Sequence, residues 1–120
     1  MRNLVRLLIA GAGLAAMLGF GGCSPAQPVD LDGATVVDVR TAAEFASGHL
    51  DGALNIDFQD ADFASQIAQL PKDGVYYLYC RSGSRAGQAA SVMKSQGFAN
   101  VTNLGGLDAA ASATGLNVVQ

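Results

Sequence analysis

From Ala34 onward the chain alternates short, β-branched apolar runs with stretches whose apolar positions recur at helical spacing, a pattern that predicts a parallel sheet covered by helices. TVVDV (35–39) is the first predicted strand, a buried one. TAAEFASG (41–48) predicts a brief helix, with Thr41 as its N-cap and Gly48 as its stop. ALNI (53–56) is a second short strand. In FQDADFASQIAQL (58–70), Phe58, Phe63, Ile67 and Leu70 recur near helical spacing until Pro71 and a Lys-Asp-Gly turn end the helix. VYYLYC (75–80) is the central strand. RAGQAASVMKSQGF (85–98) predicts a helix that lays Ala86, Ala89, Ala90, Val92 and Met93 on the sheet and is capped by Gly97. NVTNL (100–104) gives a further strand, and GGLDAAASATG (105–115) a turn and a last helix. The expected architecture is an α/β fold with a central, mostly parallel sheet of roughly four to five short strands.

The residues ahead of this domain follow a different pattern. Arg2 and Arg6 precede an apolar stretch from Leu7 to Phe20 and then small residues, the layout of an export signal. That stretch is shorter than the roughly 20 residues a membrane-spanning helix needs, and its Gly and Ala content favours cleavage over anchoring. Gly21, Gly22 and Cys23, followed by Ser24, resemble the lipobox of bacterial lipoproteins, with Phe20 where Leu is usual. The resemblance implies that Cys23 becomes the lipidated first residue of the mature chain; the alternative is a plain secreted protein cut nearby. Residues 1–22 are thus read as a lipoprotein-type signal peptide, 23–33 as a Pro-, Asp- and Gly-containing tether reaching ~35 Å when extended, and 34–120 as the domain. Such a protein is exported, lies in the cell envelope or periplasm on a lipid anchor, and meets an environment in which thiols can be oxidised.

At 120 residues the chain has room for one core. Two of its seven basic residues belong to the leader, whereas all ten acidic residues follow it, so the mature domain is acidic and poorly suited to nucleic acid. Lipidation of Cys23 would leave Cys80 as the only free thiol. A Cys23–Cys80 bridge would tie a tail to the end of a core strand. No second cysteine lies near Cys80, which excludes Cys-x-x-Cys exchange, and a lone His49 argues against a zinc site.

Cys80 stands where a parallel strand ends and a helix begins, the position at which open α/β sheets present their binding crevice. The residues after it, Arg81, Ser82, Gly83, Ser84 and Arg85, let the backbone curl and aim N–H groups at one point, as anion-binding nests at helix N-termini do. A sulfur there is expected to be held as thiolate, because the helix end and the guanidinium groups favour the negative form. Free cysteines are often no more than small core residues, yet a Gly- and Ser-containing loop with two arginines is a poor choice for filling space. Cations at a helix N-terminus also oppose its dipole, by a few tenths to ~1 kcal/mol each, which suggests an anion between Arg81 and Arg85.

CRSGSR resembles the active-site loop of single-domain rhodaneses, the thiosulfate sulfurtransferases, and closest in build are the small exported bacterial members of the phage-shock type. VVDVRTAAEF, GHLDGALNI, GFANVTNLGGLDA and the closing GLNVV extend the resemblance from Val36 to the C-terminus, in order and spacing. It implies a three-layer fold with helices on both faces of the sheet. It also implies that Cys80 takes the outer sulfur of thiosulfate, expels sulfite and becomes a persulfide, from which cyanide or a thiol removes the sulfur. Arg81 and Arg85 would bind the sulfonate oxygens, the amides from Arg81 to Arg85 would cradle the terminal sulfur, and no metal or organic cofactor is called for. A monomer would suffice. The alternative is a non-catalytic sulfur carrier or protein-binding module on the same fold. Cysteine-dependent phosphatases instead use Cys-x5-Arg, and residue 86 here is alanine.

The chain departs from the family pattern in having no Trp, with Leu107 after the Gly-Gly pair, and in carrying Asp51 where the family's turn has proline. Asp38 and Arg40 are expected to pair with each other or with Glu44. His49 is expected to be a hydrogen-bonding structural residue, and Tyr76, Tyr77 and Tyr79 core or crevice wall.

Overall fold

The computed structural model describes residues 29–120; residues 1–22, expected to be a signal peptide, and Cys23, the expected lipidation site, lie outside the described residues. Strands β1 (Ala34–Asp38), β3 (Leu54–Asn55), β4 (Val75–Cys80) and β5 (Asn100–Gly106) form one sheet in the order β3-β1-β4-β5, parallel throughout. A two-residue strand β2 (His49–Leu50) pairs antiparallel with β6 (Val118–Val119) beside it. Helices α1 (Ala42–Ser47), α2 (Phe63–Ala68), α3 (Ser84–Ser95) and α4 (Leu107–Thr114) complete the chain.

Both faces of the sheet are covered. Val37 and Val39, with Tyr76, Leu78 and Cys80 at alternate positions of β4, pack with Phe63 and Ile67 of α2 and with Ala86, Ala89, Ala90 and Met93 of α3. The opposite pleat presents Val36, Tyr77 and Tyr79 to Leu50, Ala110 and Leu116. This period-2 division of one strand between two cores is why the strands read as continuous apolar runs.

α1 has the expected boundaries, because Thr41 and Glu44 form a reciprocal capping box: Thr41 Oγ1 accepts the Glu44 N–H and Glu44 Oε1 accepts the Thr41 N–H, each at 3.3 Å. α2 is shorter than its apolar spacing predicts. Asp57 Oδ1 accepts the Gln59 N–H at 2.8 Å and Asp60 Oδ1 the Asp62 N–H at 2.9 Å, so side-chain turns hold residues 57–62 outside the helix. Residues 29–33, assigned to the tether by sequence, are docked instead: the Val29 N–H donates to the Ala113 carbonyl at 2.9 Å and Leu31 packs on the second core.

One irregularity bears on the site. Leu78 of β4 pairs with Asn103, but Cys80 pairs with Gly106, so β5 carries one extra residue in a bulge beside the cysteine.

Candidate active site

Cys80 is the last residue of β4 and is fully buried; its Sγ accepts the N–H of Gly83 at 2.8 Å. Gly83 is the N-cap of α3 and has φ +94°, a left-handed conformation that side-chain-bearing residues rarely adopt. The loop therefore turns back over the sulfur and starts a 12-residue helix within four residues of it. Amide and helix dipole both direct partial positive charge toward Sγ.

A cavity of about 630 Å³ opens beside this loop, lined by Arg40, Glu44 and Ser47 on one side, Arg81 and Ser82 on another, and residues 106–109 at the start of α4. Cys80 is not part of the lining; it sits one residue behind Arg81. The backbones of loop and bulge meet closely: a Cβ at Gly106 would collide with the Arg81 carbonyl oxygen. Gly106→Ala is expected to push Arg81 and Ser82 outward and lower the melting temperature by several degrees, with the helical signal retained below the transition; circular dichroism would check both.

The five loop residues do not act alike. Arg81 and Ser82 are exposed on the cavity wall and Ser84 opens α3. Arg85, expected to stand free for an anion, is instead paired end-on with Glu44, Nη1 to Oε1 at 2.7 Å and Nη2 to Oε2 at 2.9 Å. This pair and the Thr41 contacts hold the Glu44 carboxyl well below the usual carboxylate range, at about 2. Glu44 in turn holds Arg85 above its ordinary value, with a smaller contribution from the field of Cys80. The fork-to-fork geometry explains the choice: a bidentate carboxylate satisfies a guanidinium better than a point contact. Arg81 is consequently the unpaired guanidinium of the cavity among the described residues.

Arg40 also lines the cavity, yet its charge is committed to Asp38 at 2.7 Å and its Nη2 also donates to the Gly48 carbonyl. Asp38 thus pairs with Arg40, while Glu44 goes to Arg85. The His49 ring stacks on Phe45 with centroids 3.6 Å apart and its Nδ1 meets the Phe45 carbonyl at 2.8 Å, a structural placement. Among the described residues no His, Cys, Asp and Glu group could hold a metal ion. Sequence reasoning did not single out Ser47 or Asp108 of the cavity, nor Asn103, whose side chain bridges the loop and the bulge. Asp108, just after a Gly-Gly pair at a helix start, carried a positional signal; Ser47 and Asn103 carried none.

Residues 26–113 match the Rhodanese-like domain family. The chain is 36% identical over 90 residues to a sulfurtransferase of Allochromatium vinosum, spanning 75% of this chain and 82% of that one. It is 31% identical over 71 residues to the thiosulfate sulfurtransferase PspE of Escherichia coli, spanning 59% and 68% respectively. Among solved structures, a rhodanese-like domain from Anabaena superposes with a TM-score of 0.63 at 28% identity, covering 72% of this chain and 99% of that one. An E. coli rhodanese solved with anions gives 0.58 at 26% identity, covering 72% and 96%.

Proposed function

Because this chain belongs to the rhodanese-like domain family, we propose that it is a sulfurtransferase that moves sulfane sulfur from a small anionic donor such as thiosulfate to a thiol or cyanide acceptor through a persulfide on Cys80. The observation that carries this reading is the Gly83 N–H on the Cys80 sulfur, 2.8 Å away, at the N-terminus of α3. A hydrogen bond and a helix end that both favour negative charge suit a nucleophilic thiolate better than a core thiol. The names of the relatives, two of them sulfurtransferases, support the same chemistry.

In the first step the Cys80 thiolate attacks the outer sulfur of thiosulfate; a sulfur–sulfur bond forms on Sγ, the donor's own sulfur–sulfur bond breaks, and its electron pair leaves with sulfite. In the second step an acceptor thiolate or cyanide attacks the outer sulfur of the persulfide and returns the electron pair to Cys80. Negative charge resides on Sγ before the first step and on the outer sulfur, one bond away in the same loop, after it, so the positive end of α3 faces the charge in both states without large reorganisation. Arg81 binds the oxygens of the donor, with Arg85 held in reserve by Glu44. Since Cys80 is fully buried, the donor reaches Sγ by displacing the Arg81–Ser82 wall.

Export and lipid anchoring at Cys23 form the second part of the proposal, supported by Arg2, Arg6 and the apolar run 7–20. Intact-mass measurement tests both parts. Protein treated with thiosulfate should gain one sulfur atom and lose it to cyanide as thiocyanate, and protein taken from cells should begin at a lipid-modified Cys23. Failure to load from thiosulfate, with a persulfide present on protein from cells, would favour a carrier module served by a partner protein.

A further inference from the structure

We propose that Asn103 is a positioning residue that holds the Gly83 amide on the Cys80 sulfur and so sets the pH at which that sulfur becomes reactive. The inference rests on the reading of Cys80 as the nucleophile and adds to it the device that aims the loop. Asn103 is exposed on β5, opposite Leu78, where the β4–β5 ladder is about to be broken by the bulge. Its side-chain amide is used at both ends. Nδ2 donates to the Gly83 carbonyl at 2.9 Å, and Oδ1 accepts the Gly105 N–H at 2.8 Å.

The two backbones it joins are nearly in contact, since a Cβ on Gly83 would come within 3.1 Å of Gly105 Cα. Gly83 has no side chain with which to fix its own orientation, and it carries the amide that meets the sulfur. Its carbonyl is held by two donors, the Gly87 N–H at 2.9 Å from within α3 and Asn103 from the sheet. The first ties Gly83 only to the helix it begins. Asn103 ties it to the sheet that carries Cys80, so this side chain keeps helix start and sulfur in register. An amide swinging even a few tenths of an ångström or some tens of degrees from Sγ loses much of its effect on the charged form.

The charged groups on the elements packed around Cys80 are Arg81 of the loop, Arg85 of α3 with its partner Glu44, Lys94 in the last turn of α3, the Asp38–Arg40 pair at the end of β1, Asp57 and Asp108. Asn103→Ala alters none of them and, at an exposed position, leaves no buried void.

The test is the rate of alkylation of Cys80 by iodoacetamide as a function of pH, read on the Cys80 peptide by mass spectrometry in the full chain. The midpoint should rise by about half a unit to one unit in Asn103→Ala, with the melting temperature changed by only a few degrees. Asn103→Asp keeps the acceptor for Gly105 but lacks the donor to Gly83, so in about 0.5 M salt, where its new charge is screened, it should show the same rise. An unchanged midpoint in both variants overturns the inference. So does a rise in Asn103→Ala that Asn103→Asp reverses, because the Gly105 arm would then be the one that matters. The alkylation profile requires no sulfur donor, so a wild-type protein that fails to load sulfur undermines the proposed function without entering this comparison.

Discussion

Replacement of Cys80 by serine should reduce thiosulfate-to-cyanide sulfur transfer by at least about ten-thousand-fold while leaving the domain folded. The activity term follows from the chemistry: an alcohol is not ionised at neutral pH and forms no persulfide, and removing the nucleophile of a covalent mechanism commonly costs that much or more. The stability term follows from the contacts. Among the described residues Sγ has one polar partner, the Gly83 N–H, and a serine oxygen can accept the same bond. Because residue 80 is fully buried and belongs to the core formed with α2 and α3, the slightly more polar and smaller side chain should cost about 1 kcal/mol, well short of unfolding. Cys80→Ala provides the complementary variant, with no hydroxyl to bury. Thiocyanate formation and thermal unfolding measure the two quantities separately. Were Cys80 only a small core residue, Cys80→Ala would retain activity in proportion to its folded fraction, and an active serine variant would remove the covalent mechanism altogether.

The location of this cysteine was legible in the chain because several local signals agreed there. A continuous apolar run, VYYLYC, met a Gly- and Ser-containing segment and then a helical pattern, and a strand-to-helix junction was the one arrangement consistent with all of them. The same agreement placed α1, whose cap residues Thr41 and Glu44 form a reciprocal pair. Legibility ended where a choice depended on partners distant in sequence. Glu44 is 41 residues from Arg85, and nothing local decides whether that carboxylate turns to Arg40, its neighbour in the chain, or to the loop. The structure resolves it by giving Arg40 to Asp38. β2 and β6 were missed for a related reason: two-residue strands carry no periodicity, and their pairing is set by how the chain end returns to His49 and Leu50. α2 was overextended because Phe58 has the right apolar spacing, while the aspartate turns that exclude it from the helix compete through side-chain hydrogen bonds that periodicity does not register.

That same allocation of charges gives the largest expected effect on stability. Asp38 is fully buried, Arg40 is 5% exposed, and the two are joined by four contacts within hydrogen-bond distance, from the Arg40 backbone N–H at 2.9 Å, from Nε at 3.0 and 3.1 Å, and from Nη2 at 2.7 Å. The guanidinium also lies 5.6 Å from the centroid of the Tyr79 ring, and Asn55 Nδ2 donates to the carbonyls of both Asp38 and Arg40. Asp38 holds Arg40 above its ordinary pKa, and even without that partner a guanidinium keeps its proton at any ordinary pH, so the arginine cannot escape the loss by becoming neutral. Asp38→Ala would therefore leave a largely buried cation with the Gly48 carbonyl as its one hydrogen-bond acceptor among the described residues and the Tyr79 ring face beside it. Breaking one side of a buried pair costs about 3–5 kcal/mol, which in a domain of this size corresponds to a fall in melting temperature on the order of 15 °C or more. Removing both charges is a different experiment. A buried pair owes much of its apparent strength to the penalty of leaving one member alone, so Asp38→Leu combined with Arg40→Met should unfold at a higher temperature than Asp38→Ala, despite carrying one more substitution. Thermal unfolding of the two variants decides the matter. If the double variant is the less stable, the shape and hydrogen bonds of this corner, and not its stranded charge, hold the end of β1 against the cavity.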